Sequence, residues 1–135
     1  MDFYSNATDI HESAEILFNN GKYRMAVYNV CLSVELYLKS KLLLVDYEPR
    51  LESSHDTINI YRCLTKRFKS SKDLTYAINM CRKYFNESRY PYGTTEVYTS
   101  EFASEFLEYL SDVKFYIDNE CVATLDDLKA KFDNN

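Results

Sequence analysis

Apolar side chains return every three or four positions along most of the chain, the period of a helix with one buried face. Ala7, Ile10, Ala14 and Leu17 mark a first helix over about residues 7–19. Asn20-Gly21 stops it, because glycine readily takes the left-handed backbone that follows many helices. Tyr23, Val27, Val30, Val34, Leu38 and Leu42 predict a second, longest helix over about 23–44. Leu32, Leu36, Leu43 and Leu44 widen its apolar stripe, which places it at the centre of the fold. Pro49 sits in a loop over 45–55, and a third helix over about 54–68 turns Ile60, Tyr61, Leu64 and Phe68 inward.

Ser70-Ser71-Lys72-Asp73 resembles a capping box with Asp in place of Glu. The fourth helix follows it, carrying Leu74, Ala77, Ile78, Cys81, Tyr84 and Phe85. Residues 86–98 hold the second proline and the second glycine and are expected to be irregular. A fifth helix over about 100–119 points Phe102, Phe106, Leu110, Val113 and Ile117 in, and Glu101, Glu105, Glu108 and Asp112 out. A short last helix is expected after Thr124, with Leu125, Leu128 and Phe132. The expectation is an all-α, antiparallel up-and-down bundle of five or six helices, forming one domain over residues 1–135.

Composition agrees. Two glycines and two prolines are too few for the tight turns of a sandwich or barrel. The four cysteines, Cys31, Cys63, Cys81 and Cys121, form no CxxC pair and have only two histidines beside them, so a metal site is not expected. They read as reduced thiols on buried helix faces. Residues 1–20 carry neither a basic start nor an apolar run, and no stretch reaches the length of a membrane span. The expected setting is cytoplasmic, away from membranes.

Charge is uneven. The net value of −5 argues against a general nucleic-acid-coating role. Residues 62–83 nevertheless hold seven basic side chains against Asp73 alone, while residues 96–135 hold ten acids and three lysines. The basic segment reads either as an anion-facing patch or, more simply, as a connection whose charges pair with the acidic half. Thirteen tyrosines, amphipathic and suited to interfaces, favour a binding surface or a dimer.

Four local patterns together resemble the HEPN family (higher eukaryotes and prokaryotes nucleotide-binding). They are Gly21-Lys22-Tyr23-Arg24 with Ala26 at the first helix corner, Glu35-Leu36-Tyr37-Leu38-Lys39 on the second helix, His55-Asp56 at the third helix start, and Arg89-Tyr90-Pro91 before the final long helix. Their order and spacing match over about residues 7–117. The resemblance implies one of three roles: a metal-independent ribonuclease with Arg-x4–6-His on a late helix, a non-catalytic partner of a nucleotidyltransferase in a toxin–antitoxin-like pair, or a nucleotide-binding module. It also implies a homodimer through the long helices.

Arg50 and His55 fit Arg-x4-His by count, but they lie before the third helix and Leu51 replaces the expected polar residue. No histidine follows residue 55, so the late helices cannot carry that motif. His11 reads as a surface residue of the first helix. No glycine-rich phosphate loop exists, and no cofactor is expected. The favoured expectation is a non-catalytic module binding a nucleotide, RNA or a nucleotidyltransferase partner. Its site would be built from Lys39, His55, Arg89 and Tyr90 if those segments converge as the resemblance implies. A ribonuclease toxin and a generic helical interaction bundle are the alternatives.

Overall fold

The computed structural model describes residues 2–89, 97–125 and 129. Among the described residues, five α-helices run α1 (Phe3–Asn19), α2 (Tyr23–Lys39), α3 (Thr57–Thr65), α4 (Thr75–Arg89) and α5 (Ser100–Phe115). No strand occurs among the described residues, and no helix there is long and apolar enough to cross a membrane.

α1 begins four residues earlier than its apolar period suggests, because the Asp2 carboxylate accepts the Ser5 N–H at 3.0 Å and caps the helix. It ends in a Schellman turn: Lys22 N–H reaches Leu17 O at 2.8 Å and Gly21 N–H reaches Phe18 O at 3.0 Å, with Gly21 at φ 74°. The left-handed glycine is therefore required there. α1 then folds back along α2, where Ala7 and Ala14 are fully buried and Ser33 Oγ donates to Ala7 O at 2.8 Å.

α2 touches each of the other four helices, as its wide stripe predicts. It is shorter than expected. It stops at Lys39, where the Ser40 hydroxyl donates back to Tyr37 O at 2.6 Å, and Leu42–Leu44 continue as a 3-10 turn. α3 is shorter too, because Ser54 Oγ accepts the Asp56 N–H at 3.0 Å and holds residues 54–56 in a turn ahead of the helix.

Before α4 the expected capping box does not form. Ser71 instead binds Glu120, and Asp73 accepts the Thr75 N–H at 2.9 Å. α4 continues through Arg89, four residues into the segment expected to be irregular. α5 is capped by Thr99, whose hydroxyl accepts Phe102 N–H at 3.1 Å, and it closes with a π-helical turn over Tyr116–Glu120. The Tyr116 hydroxyl is satisfied by Phe68 O at 2.6 Å. The expected last helix lies largely outside the described residues.

The core combines Val27, Val30, Val34 and Leu38 of α2 with Ile60 and Leu64 of α3, Ile78 of α4, and Phe106, Leu110 and Val113 of α5. The acidic row of α5 faces out as expected, with Asp112 taking Lys72 at 2.6 Å. The basic segment is thus paired in part with the acidic half.

Candidate functional site

Where α2, the turn before α3 and α4 meet, they enclose a cleft of about 320 Å³. Its deepest charged group is Glu35 of α2. Glu35 and Lys39 stand one helical turn apart with both side chains only 5% exposed, and they form an ion pair at 3.2 Å. An unpaired charge so deep costs several kcal/mol, which explains why neither appears alone. The second Glu35 oxygen accepts Nδ1–H of His55 at 2.7 Å. His55 is 67% exposed, so a buried carboxylate orients a ring that reaches solvent.

Aromatic rings back the histidine. Phe85 of α4 lies 5.0 Å from the His55 ring at an interplanar angle of 31°, and Tyr28 of α2 lies 5.6 Å from Phe85 at 33°. The three rings form a tilted stack, with His55 as the member at the cleft mouth. Such rings offer a face on which another planar group can stack.

Across the mouth, α4 supplies Arg82, 54% exposed, whose guanidinium stops 4.0 Å from Asp56 Oδ1. The other Asp56 oxygen accepts Asn59 Nδ2–H at 2.6 Å. Asp56 is the N-cap residue of α3, but its side chain makes no cap bond to the helix. Two buried polar atoms of the lining, Asp56 Oδ1 and Thr57 Oγ1, have no hydrogen-bond partner. The 4.0 Å contact to Arg82 is an ion contact, too long to be a hydrogen bond.

Cys31 and Cys81 form part of the inner wall. Burial pushes the Cys31 thiol well above its ordinary value, and the adjacent Cys81 adds to the effect. A thiol that holds its proton this firmly is a poor nucleophile, so Cys31 serves as wall and not as a reactive group.

The residues singled out from the sequence separate. Lys39 and His55 are joined through Glu35, but Lys39 is buried rather than presented to a ligand. Arg89 stands at the exposed end of α4 and does not line the cleft, and Tyr90 lies outside the described residues. Arg50 pairs with Glu48 at 2.6 Å on the surface and is not part of the cleft, so the Arg-x4-His spacing does not assemble a site. His11 is not a surface residue. It is half-buried, donates Nε2–H to Glu15 at 3.1 Å, and accepts the Tyr37 hydroxyl at 3.1 Å.

Sequence reasoning missed Arg82, Phe85, Asp56 and Thr57 as site residues. It placed Phe85 in the core, whereas the ring is half-buried beside His55. The order of Glu35 and Lys39, acid one turn before base, does mark them in the sequence as a helix ion pair, and the pair forms. Apolar residues surround α2 on nearly every side, so an acid and a base one turn apart on it must be buried together.

No group of three or more potential metal ligands occurs among the described residues. No curated protein and no solved structure matches the chain. A family model, HEPN domain, matches residues 1–117 and so spans all five helices. The chain belongs to the HEPN family.

Proposed function

We propose that the chain is a non-catalytic binding module that holds a nucleotide in the α2–α3–α4 cleft. One observation carries the reading: a half-exposed guanidinium, Arg82, shares a cleft with the stacked rings of His55 and Phe85. A guanidinium suits phosphate and a ring stack suits a base, so the two requirements of a nucleotide are met within one cavity. The Glu35–Lys39 pair fixes the position of His55. Exposed Ile16, Leu43, Tyr76 and Phe115 supply apolar surface for a second copy or a nucleotidyltransferase subunit, in a toxin–antitoxin-like pair. Four free thiols accord with a reducing, cytoplasmic setting.

Native mass spectrometry of the chain recovered gently from its own host tests this. The expected result is a dimer, or a complex with a nucleotidyltransferase subunit, that retains or takes up a nucleotide. Uptake should fall about tenfold or more in Arg82→Ala, the loss of one charge-assisted contact. A bare chain that takes up no nucleotide contradicts the proposal.

A second reading, metal-independent RNA cleavage, draws on the Glu35–His55 pair. The carboxylate holds Nδ1–H at 2.7 Å and leaves Nε2 for proton transfer, with Arg82 on the phosphate. Cleavage of total RNA by the purified chain, abolished in His55→Ala, would favour this reading over the first.

A further inference from the structure

Asp56 Oδ1 and Thr57 Oγ1 set a chemical requirement on whatever fills the cleft. Both are buried, both belong to its lining, and neither has a hydrogen-bond partner. Thr57 as a whole is 4% exposed. A buried acceptor without a donor is costly, and a ligand that supplies the donor recovers that cost on binding. Glu35 and Asp56 both bring carboxylates to this wall, so a phosphate there would meet like charge. The phosphate belongs at the rim, beside Arg82.

We propose that this wall selects a ligand presenting a hydrogen-bond donor and that, given the nucleotide reading on which this rests, the donor is the exocyclic amino group of the base. His55, Asp56 and Phe85 line the same cleft, and Phe85 backs the largely exposed His55 ring, so a base lying against His55 shares its wall with Asp56. Arg82 is the group that must move. It is half exposed and makes no hydrogen bond to Asp56, so turning from the 4.0 Å contact toward a phosphate costs little. The same turn opens Oδ1 to the base. Phosphate capture and base reading are thereby one motion.

The geometry also provides a specificity swap. Asn59 Nδ2 donates to Asp56 Oδ2 at 2.6 Å. In Asp56→Asn the side-chain oxygen stays on Asn59, and the amide NH2 takes the place of Oδ1. The wall then offers a donor where it offered an acceptor.

The experiment is titration calorimetry of the full chain and of Asp56→Asn with three ligands: adenosine monophosphate, purine riboside monophosphate, which lacks only the amino group, and inosine monophosphate, which carries a carbonyl in its place. Thermal melts establish that the variant is folded. The wild-type chain should bind adenosine monophosphate about tenfold or more tighter than the purine riboside, because a site built around a donor rejects an analogue without one. Asp56→Asn should lose that preference and favour inosine monophosphate. Equal binding of all three by the wild-type chain, or an unchanged amino preference in Asp56→Asn, overturns the donor requirement while the nucleotide reading stands. Failure of all three to bind overturns both. If Asp56→Asn does not fold, Thr57→Val, which removes the second atom at constant shape, must reduce the amino preference instead, and an unchanged preference overturns the proposal.

Discussion

Glu35 is the hub of the cleft, since one carboxylate neutralises Lys39 and aims His55. Glu35→Gln leaves a buried ammonium without its counter-charge and should destabilise the fold by roughly 3–5 kcal/mol. Urea unfolding measures this; a loss under about 1 kcal/mol would mean that the pair is wetter than its burial indicates. The double variant Glu35→Leu/Lys39→Met replaces the pair with apolar side chains of similar size. It should recover most of the stability, because a buried ion pair contributes little beyond its own desolvation. Ligand affinity should not return with it, since His55 would no longer be oriented. The split between stability and binding assigns Glu35 a positioning role as well as a structural one.

The elements were the most legible part of the sequence, because a helix needs only a repeating apolar face and a stop signal. Val27, Val30, Val34 and Leu38 announced α2, and Gly21 announced the turn before it. Ends were less legible, because a few hydrogen bonds decide them. Asp2 extended α1, Ser40 helped to end α2, and Ser54 held residues 54–56 out of α3. The site was least legible. Phe85 and Arg82 sit on a helix whose period marks them only as inner and outer, and nothing local says that the inner ring meets His55. The π-helical turn after α5 likewise has no sequence signal. It places the Tyr116 hydroxyl on Phe68 O at 2.6 Å, joining the end of α5 to the connection after α3. Tyr116→Phe orphans that carbonyl and should cost about 1–3 kcal/mol, measured as a lower urea midpoint at unchanged slope.

At the scale of the molecule, composition and charge excluded more than they assigned. Scarce glycine and proline removed the β-folds, and the uneven charge resolved in part into contacts such as Lys72–Asp112. That pair is exposed, so Lys72→Ala should change stability by less than about 1 kcal/mol. Alkaline pH acts on the whole bundle. Burial pushes Tyr109 up to about 12, with Tyr76 adding to the shift, and pushes Cys121 up to about 11. Both groups hold their protons longer in the folded state than in the unfolded one, whose ordinary values are about 10 for tyrosine and about 8.5 for cysteine. Their contribution is therefore intact below about pH 8.5 and is lost as pH rises to about 12. Melting temperature should fall across that window, and Tyr109→Phe should lessen the fall between about 10 and 12 without abolishing it, since burial also raises Tyr37, Tyr98 and Tyr116.

A nucleotide held in the α2–α3–α4 cleft must perturb the backbone that lines it. Backbone amide chemical shifts followed during titration with adenosine monophosphate measure that response. Shifts are expected to concentrate at Ser54–Thr57 and at Cys81–Asn86 and to saturate together, with about tenfold or more ligand needed for saturation in Arg82→Ala. Shifts confined to the basic connection around Lys66–Lys72, or no saturating shifts at all, would contradict a nucleotide in that cleft.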